Sequence, residues 1–438
     1  MGSRVPIHGP LRILSDLIQR DAKRSWHPYT QHGNEDDPLP VAAAKGASLF
    51  LEDGTELIDA ISSWWAILHG HAEPVLIEAA SKQLRTLDHV LFAGTTHEPA
   101  VRLAERICEH APGPFTRAFF SDDGSTAVEV ALKIVLQRWA QIGQPNRRVF
   151  VTLEGGYHGD TFGAMSVGDP DPFFLPYQPL LFESKRVAPT PGSVAKALAE
   201  LGERAAGVLV EPLLQGAAGM CVYSAEWLRE TRAACYAAGV QLIADEVMTG
   251  FGRTGALFAC ELAGVEPDLI CLAKGLTGGV FPLSATLATE ELFEAFHSTD
   301  RRRAFFHGHT FTAHPVGCAI ALASLDLCEE RGTPQLLNAL GERIHRHLEP
   351  LATHGSVRNL RHLGGMVAME LDPGPESPDG YLASLGPRIR RMSLTRGVLL
   401  RPLGNVVYAL PPACTTDAEA DRIAEAMAAC VDLAASQV

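Results

Sequence analysis

The sequence predicts an α/β fold with a mostly parallel central sheet, helices on both faces of that sheet, and a smaller α+β lobe. The first observation is an alternation, between residues 117 and 288, of short apolar segments with longer amphipathic ones. Short apolar runs indicate buried strands, and the segments between them have the length of crossover helices. Strands that alternate with helices in this way form parallel sheets covered on both faces.

The second observation is a change of pattern after residue 331. Helical segments alternate there with short strands: helices near 335–350, 380–396 and 416–434, and strands at 366–371, 398–401 and 406–410. This pattern is typical of a separate α+β unit. We therefore divide the chain into an N-terminal segment that joins the small lobe (1–70), a large domain (71–330) and a C-terminal small domain (331–438).

Composition narrows the functional class. The chain has 438 residues, 46% of them hydrophobic and 20% charged, which is ordinary for a globular enzyme. The net charge of −14 argues against nucleic acid as a partner. Nine cysteines occur without a C-x-x-C pair or zinc spacing, so we expect no metal site and a reducing, cytoplasmic compartment. No apolar run approaches the roughly 20 residues that span a bilayer, so we expect no membrane association.

The N-terminal segment begins with a predicted helix and a hairpin. A short amphipathic helix is indicated by the spacing of Leu11, Leu14, Leu17 and Ile18. Residues 48–59 predict a hairpin that turns at Asp53-Gly54. A further helix begins at Pro74, a favoured first position, and ends near Thr86.

Two adjacent tryptophans, Trp64 and Trp65, follow the hairpin. On the residues alone, a core pair at a domain junction is slightly favoured over an aromatic wall for an apolar or cationic substrate. Arg401 stands at a predicted strand end before Pro402 and has the same ambiguity. It is a surface arginine, which the residues alone favour, or a bidentate clamp for a substrate carboxylate.

A helix from residue 124 to about 142 follows the strand at 117–120 and opens with Gly124, Ser125 and Thr126. A glycine and two hydroxyls at a helix N-terminus form a phosphate cradle, since backbone N–H groups and the helix dipole both favour an anion. N-capping by Ser125 or Thr126 is the commoner explanation of such a sequence. One hydroxyl can cap the helix while its neighbour binds phosphate.

The next strands also end on polar groups. The strand at 148–153 leads to Tyr157, which can lie flat on a planar ring, and to His158, an orienting residue or a turn residue. The strand at 207–210 ends on Glu211. The strand at 241–244 ends on Asp245, and the strand at 269–273 ends on Lys274.

Ligands of open parallel sheets bind at the carboxyl ends of the strands, so Asp245 and Lys274 are expected to face one crevice. A lysine in apolar surroundings is a candidate Schiff-base nucleophile, because desolvation lowers its pKa. A carboxylate opposite it suits a pyridinium nitrogen. The alternative is that both residues lie on solvated loop ends, and their spacing alone does not decide between the two.

The stretch from residue 241 to 278 resembles the class III pyridoxal-phosphate aminotransferases. The matching pieces are Ala244-Asp245-Glu246-Val247, Gly250-Phe251-Gly252-Arg253-Thr254-Gly255, Pro267-Asp268 and Ala273-Lys274-Gly275. The resemblance extends over essentially the whole chain from about Trp26. It implies the fold type I architecture of pyridoxal-phosphate-dependent transferases and pyridoxal 5′-phosphate as the cofactor.

The same resemblance implies roles for individual residues. The catalytic residues would be Lys274, which holds the cofactor covalently, Asp245, which binds the ring nitrogen, and Tyr157. The cofactor-binding set would be Gly124, Ser125, Tyr157, Asp245, Lys274, His309 and Thr310. In the family the threonine that matches Thr310 reaches the cofactor phosphate of the partner subunit, which implies a homodimer with shared active sites.

Further pieces resemble one branch of that family, whose members transfer an amino group to 8-amino-7-oxononanoate in biotin biosynthesis. They are His27-Pro28-Tyr29-Thr30, Ser62-Ser63-Trp64-Trp65, the segment 157–167, Arg401-Pro402 and Tyr408. The resemblance implies small-molecule substrates, with S-adenosylmethionine as the amino donor. The substrate-binding residues would be Tyr29, Trp64, Trp65, Tyr157, Lys274, Gly308 and Arg401.

One residue departs from that branch. His309 stands where members that use adenosylmethionine usually have proline, and Gly308-His309-Thr310 is similar to relatives that take the amino group from lysine. The tryptophan pair favours adenosylmethionine, because it would face the donor. The alternatives are lysine as donor, another omega-aminotransferase activity, or a non-catalytic, racemase or aminomutase protein of this fold. The presence of both Lys274 and Asp245 argues against a non-catalytic protein.

Overall fold

A computed structural model describes residues 16–33, 36–170, 172–374 and 380–435. The strands are β1 (Val41–Lys45), β2 (Ser48–Leu51), β3 (Glu56–Asp59), β4 (Phe115–Ser121), β5 (Val149–Leu153), β6 (Ser184–Val187), β7 (Ala205–Val210), β8 (Leu214–Gln215), β9 (Cys221–Val222), β10 (Gln241–Asp245), β11 (Leu269–Leu272), β12 (Ser284–Thr289), β13 (Val357–Leu363), β14 (Met366–Leu371), β15 (Val398–Leu399) and β16 (Val406–Ala409).

The helices are α1 (Asp16–Arg24), α2 (Ser62–Trp65, a single turn), α3 (Pro74–Thr86), α4 (Glu98–His110), α5 (Gly124–Gln141), α6 (Phe162–Val167), α7 (Ser193–Leu201), α8 (Ala225–Ala238), α9 (Ala259–Ala263), α10 (Glu290–Glu294), α11 (Pro315–Arg331), α12 (Thr333–Leu348), α13 (Leu385–Thr395) and α14 (Asp417–Ala435). In the part of the chain described here, none of these helices is both long and apolar enough to cross a membrane.

The central sheet has seven strands in the order β4-β12-β11-β10-β7-β5-β6. Strand β12 runs antiparallel to both its neighbours, and the other neighbouring pairs are parallel. The prediction of a mostly parallel sheet is therefore confirmed. Because β5, β7, β10 and β11 are buried along their whole length, only their ends are available for polar chemistry.

Helices cover both faces of the sheet, as predicted. Apolar side chains of α5, α7 and α8 form one core with the sheet, and those of α4 and α11 form a second core. This arrangement brings the residues that follow β5, β7, β10 and β11 to one edge of the sheet, near the N-terminus of α5. The helices predicted at 335–350 and 416–434 are also present, as α12 and α14.

The N-terminal hairpin and the C-terminal part share a sheet. Strands β2 and β3 form the predicted hairpin, and β15 pairs in parallel with β3 through Val398 opposite Ile58 and Leu399 opposite Asp59. This pairing supports an N-terminal segment that joins the small lobe, while the domain boundaries stay a prediction. The sequence pattern did not identify β13, which pairs with β14.

Two expectations at the N-terminus have different outcomes. Helix α1 begins at Asp16 and contains Leu17 and Ile18, whereas Leu11 and Leu14 lie outside the described residues. The helix at 74–86 has the predicted bounds.

The strand predicted at 398–401 ends at Leu399 instead, so Arg401 lies two residues beyond the strand, in the loop that precedes β16.

Candidate active site

A cavity of about 800 Å³ lies at the carboxyl ends of the central strands. Nine of the residues predicted from the sequence line it: Tyr29, Trp64, Trp65, Gly124, Ser125, Tyr157, Asp245, Lys274 and Arg401. They come from the N-terminal segment, the large domain and the small lobe. The alternative in which Asp245 and Lys274 lie on separate solvated loops is therefore wrong.

Lys274 begins the short turn that follows β11 and has a left-handed backbone, with φ of 44°. Its Nζ lies 4.7 Å from the centroid of the Trp65 ring. Burial lowers the pKa of Lys274 to about 8, although the charges of Asp245 and Glu211 work in the opposite direction. A substantial fraction of the amine is consequently neutral near physiological pH and able to act as a nucleophile or base.

Asp245 ends β10 and is buried at the base of the cavity. Its Oδ2 lies 2.7 Å from Nδ1 of His158, and its Oδ1 accepts a hydrogen bond from the N–H of Val247 at 3.1 Å. Burial opposes charge on the His158 ring, but the hydrogen bond that His158 donates to Asp245, together with the charge of that carboxylate, outweighs burial and raises the pKa of the histidine. His158 is thus a residue that orients Asp245, which was one of its two interpretations from the sequence.

Glu211 follows β7 and lines the same cavity. Its carboxylate accepts hydrogen bonds from the N–H groups of Tyr157, at 3.1 Å, and Gly216, at 2.9 Å. Burial, with a smaller contribution from nearby Asp245, raises the pKa of Glu211 to about 7. Its contacts with the backbone at Tyr157 fix the loop that carries that ring. The sequence identified Glu211 only as an acid at a strand end.

The N-terminus of α5 opens onto the cavity through Gly124 and Ser125. The helix is capped by Asp123, whose Oδ1 accepts from the N–H of Thr126 at 2.9 Å, while Thr126 Oγ1 accepts from the N–H of Asp123. The N-cap residue is therefore Asp123 and neither Ser125 nor Thr126, but the Thr126 hydroxyl does take part in the cap, whereas that of Ser125 does not. Ser125 Oγ instead lies 2.8 Å from Thr161 Oγ1 at the cavity lining, where a hydroxyl and helix N–H groups suit an anion.

Close packing explains why glycine occupies position 124. A Cβ atom added there would lie 2.6 Å from Cγ1 of Val247. Val247, two residues after Asp245, therefore packs against the start of α5. The anion-binding end of the helix and the carboxylate of β10 are held together by this contact.

Two tyrosines and one carboxylate form a hydrogen-bonded group on the wall. Tyr29 Oη donates to Oδ1 of Asp160 at 2.6 Å, and Tyr157 Oη donates to the same oxygen at 3.1 Å. Burial and the neighbouring carboxylate raise the pKa of Tyr29, and burial raises that of Tyr157. Both phenols therefore stay neutral donors. Sequence reasoning missed Asp160, although it stands three residues after Tyr157.

The tryptophans lie on a left-handed turn. The φ angles of Ser62, Ser63, Trp64 and Trp65 are 51°, 44°, 72° and 71°, and left-handed conformations cost non-glycine residues roughly 1–2 kcal/mol each. Trp65 is 5% exposed and donates from Nε1 to Tyr408 Oη at 3.0 Å. Trp64 is 37% exposed. Trp65 thus belongs to the core and both tryptophans line the cavity, while the substrate that this wall would face stays a prediction.

Arg401 stacks on this wall. Its guanidinium carbon lies 4.4 Å from the centroid of the Trp64 ring, and the residue lines the cavity. Among the described residues, no carboxylate is within ion-pair range of its guanidinium. A cation held flat against an aromatic face with its fork free is suited to a planar carboxylate. The interpretation of Arg401 as a surface arginine, favoured by the residues alone, is wrong.

Three predicted residues do not line this cavity. Gly308 and Thr310 are exposed, and His309 is partly buried. His309 Nε2 lies 3.9 Å from Oδ1 of Asp122, an acid on the cavity lining. The segment therefore lies near the rim without entering the site of its own chain. Its contact with cofactor or substrate stays a prediction.

Comparisons with known proteins agree with one another. The sequence model of the family described as Aminotransferase class-III matches residues 29–431. The adenosylmethionine-8-amino-7-oxononanoate aminotransferase of Synechococcus elongatus is 49% identical over 93% of this chain and 98% of its own. The crystal structure of the protein of that name from Methanocaldococcus jannaschii has a TM-score of 0.91 at 34% identity, over 95% of this chain and 99% of the other.

A third relative has a crystal structure in a cofactor-bound form. An amine transaminase from an uncultivated Pseudomonas species, solved in the PLP-bound form, has a TM-score of 0.88 at 31% identity. The match covers 94% of this chain and 99% of that one.

Proposed function

The chain belongs to the class III aminotransferases, and we propose that it converts 8-amino-7-oxononanoate to 7,8-diaminononanoate in biotin biosynthesis. Its cofactor is pyridoxal 5′-phosphate, and we propose S-adenosylmethionine as the amino donor. The observation that carries the substrate assignment is a single cavity in which Arg401, Trp64, Tyr29, Asp160 and Lys274 come together.

The residues of the cavity fit the cofactor part by part. The N-terminus of α5, with Ser125, suits the phosphate. Buried Asp245, oriented by His158 at 2.7 Å, suits a protonated ring nitrogen. Lys274, whose pKa burial lowers to about 8, suits the aldehyde carbon. When bound, the cofactor supplies an electron sink that weakens the C–H bond beside the substrate nitrogen.

The chain's own groups then position the substrate and move the proton. Lys274 would take the proton from the substrate carbon as a general base and return it as a general acid. An amine with a pKa near the working pH suits both directions of transfer. Asp245 is held in place for the ring nitrogen by the hydrogen bond that its Oδ2 accepts from His158 Nδ1 at 2.7 Å.

The cavity wall complements the acceptor along its length. The acceptor has a carboxylate at one end and an amino-ketone at the other, joined by an aliphatic chain. Arg401 provides the cation for the carboxylate, and Asp160, already holding two tyrosine hydroxyls, provides an anion for the amine. The centroid of the Trp64 ring is 4.4 Å from the guanidinium carbon of Arg401 and 5.6 Å from the centroid of the Tyr29 ring. Apolar burial there contributes about 25 cal/mol per Å².

The donor assignment rests on the same wall. Adenosylmethionine carries a sulfonium cation and an adenine, and aromatic faces attract both, with about 0.5–2 kcal/mol for the cation. Lysine is smaller and has no aromatic group, so it would make fewer contacts with the two tryptophans. Lysine stays the second candidate because of His309, which stands beside Thr310 and lies outside the cavity of its own chain.

We propose a homodimer in which Thr310, with Gly308 and His309, completes the site of the partner subunit. The support is their place at the rim of the cavity. Thr310 is exposed, and His309 Nε2 lies 3.9 Å from Oδ1 of Asp122, which lines the cavity. We also keep the cytoplasm as the proposed compartment. All nine cysteines, each within the described residues, are free thiols.

An amino-donor panel tests the function. The holoenzyme is incubated with the oxononanoate and either adenosylmethionine or lysine, and diaminononanoate is quantified by mass spectrometry. We expect product with adenosylmethionine and none from the variant Lys274→Ala. Efficient turnover with lysine and none with adenosylmethionine would overturn the donor assignment. Turnover with neither donor would overturn the biotin assignment.

A further inference from the structure

A hydrogen-bonded chain behind the cavity connects a buried histidine to the turn that carries Lys274. His69 is 2% exposed and does not line the cavity. Its Nε2 lies 3.1 Å from the carbonyl oxygen of Ser324, on α11, and 3.1 Å from Oγ of the same residue. Ser324 is fully buried, and its Oγ donates to the carbonyl oxygen of Gly275 at 3.3 Å. The chain therefore ends on the residue directly after Lys274.

The surroundings of His69 assign the proton on its ring. Burial, with the charge of Arg331 in the same direction, lowers the pKa of His69 to about 4, so the ring is neutral at physiological pH. The single hydroxyl hydrogen of Ser324 is donated to Gly275. The sulfur of Cys328, 3.9 Å from Nε2, is a weaker contact. Both oxygens of Ser324 are thus acceptors toward His69, so Nε2 carries the ring proton and Nδ1 does not.

The other nitrogen of this ring has no partner. Nδ1 of His69 is buried and forms no hydrogen bond with any residue that the structure describes. Buried polar atoms without partners are uncommon and unfavourable, so packing alone would favour an apolar side chain here. The hydrogen bond that Nε2 donates therefore explains a histidine at this position better than packing does.

The turn that receives this chain is strained and closely packed. Lys274 has φ of 44°, a left-handed conformation that residues with a Cβ atom disfavour. At the end of the turn, the carbonyl oxygen of Gly278 accepts from the N–H of Leu68 at 3.2 Å. A Cβ atom added at Gly278 would lie 3.2 Å from Cδ2 of His69. His69 and its neighbour thus contact one end of the turn, while Ser324 binds the other.

The position of this turn decides where the Lys274 amine lies. Displacement of a reacting group by about 1 Å can lower a rate by about 100-fold. We propose that His69, acting through Ser324, is a positioning residue that fixes the turn after β11 and so places Nζ of Lys274 for attack on the cofactor aldehyde. The inference rests on the proposed role of Lys274, whichever amino donor the enzyme uses.

The test measures covalent attachment and non-covalent binding separately. Apoenzyme is mixed with pyridoxal 5′-phosphate by stopped flow, and the first-order rate at saturating cofactor reports attack by Lys274. Pyridoxine 5′-phosphate has the same ring and phosphate but an alcohol in place of the aldehyde, so its Kd, measured by calorimetry, reports binding alone. We expect His69→Leu and Ser324→Ala to slow attachment about tenfold and to leave that Kd within about twofold of wild type.

Two further variants serve as controls. His69→Gln retains a side-chain N–H that can replace Nε2–H, and we expect it to keep the attachment rate within about threefold of wild type. Ser393→Ala removes another fully buried helix hydroxyl, which donates to the carbonyl oxygen of Arg390 at 3.0 Å within α13. It should change neither constant, because it does not belong to the chain that reaches Gly275.

An attachment rate unchanged in both His69→Leu and Ser324→Ala would overturn the proposal. So would a pyridoxine phosphate Kd that rises as much as the rate falls, since the variants would then have lost structure in general. Attachment as slow in His69→Gln as in His69→Leu would assign the effect to packing of the ring and would also overturn it. If His69→Leu fails to fold, as judged by its melting curve, Ser324→Ala decides alone.

Failure of the proposed function has different signatures in these measurements. Neither uses an amino donor or acceptor, so a wild-type enzyme that lacks the biotin reaction still reports on His69. A covalent phase that persists in Lys274→Ala would instead remove the role of Lys274 on which the inference rests.

Discussion

The rate at which the apoenzyme takes up cofactor should depend on pH through Lys274. Burial lowers the pKa of this amine to about 8, from an ordinary value of 10.5, and only the neutral amine attacks an aldehyde. At pH 7 about 9% of Lys274 is then neutral, against about 0.03% of an ordinary lysine, which is a gain of about 300-fold in reactive amine. We expect the rate to rise about tenfold per pH unit below pH 7 and to level off above pH 8.

The assay mixes apoenzyme with pyridoxal phosphate by stopped flow and follows the absorbance change of covalent attachment from pH 6 to pH 10. Reaction of the same cofactor with a free lysine derivative, in the same buffers, corrects for ionisation of the cofactor itself. Lys274→Ala should show binding without the covalent phase. The direction follows from the sign of the pKa change, because a lowered lysine pKa places the neutral form at lower pH.

A corrected rate that climbs without a break to pH 10 would refute the reasoning. It would mean that Lys274 is hydrated like a surface lysine. A covalent phase that persists in Lys274→Ala would assign the attachment to another lysine. Borohydride reduction followed by peptide mapping then identifies that lysine directly.

Three further changes address the other groups of the site. Asp245→Asn should lower kcat by about 10²–10³-fold, since it removes a charge aimed at the reacting system, with a smaller loss of cofactor affinity; near-normal turnover would exclude Asp245 as the ring partner. Arg401→Met should raise the KM for the oxononanoate by about 10–100-fold, for the loss of about 1.5–3 kcal/mol from charged hydrogen bonds, and an unchanged KM would exclude the clamp. Thr310→Ala should weaken cofactor binding, because we propose that Thr310 acts in the site of the partner subunit. A wild-type monomer that remains fully active at high dilution would contradict that role.

The strand ends were predictable because a buried parallel strand is an apolar run with a polar residue at its end. Asp245, Lys274, Tyr157 and Glu211 were all identified in this way, and the structure brings them to one cavity. The position of Gly124 and Ser125 at a helix start was equally readable. The prediction of these residues depends on local periodicity, which can be read from the sequence.

The remaining parts of the site depend on contacts between distant segments. Asp160 gains its importance from Tyr29, which lies 131 positions away in the chain. Arg253 bonds to Ser62, 191 positions away. No local pattern reports such pairings. In the sequence, Arg253 stood only within the Gly-Phe-Gly-Arg-Thr-Gly segment that resembles a family, and no role was predicted for it.

Two residue types also misled the local interpretation. Ser125 is a good capping residue by type, yet Asp123 caps α5 because it stands at the residue just before the helix begins. Arg401 has the sequence context of a surface arginine, and it lies in the cavity because β15 pairs with β3 of the N-terminal segment. That pairing also brings the C-terminal loop close to the tryptophan turn, and a sequence pattern does not contain it.

The most direct test of the central claim is the stoichiometry of the two half-reactions at one site. Holoenzyme mixed with adenosylmethionine alone should release one equivalent of the deaminated donor per active site and then stop. Addition of 8-amino-7-oxononanoate should then yield one equivalent of diaminononanoate, and the cycle should repeat. Continuous consumption of donor without acceptor, or acceptor turnover that needs no prior donor, would contradict an aminotransferase that serves both substrates through Lys274.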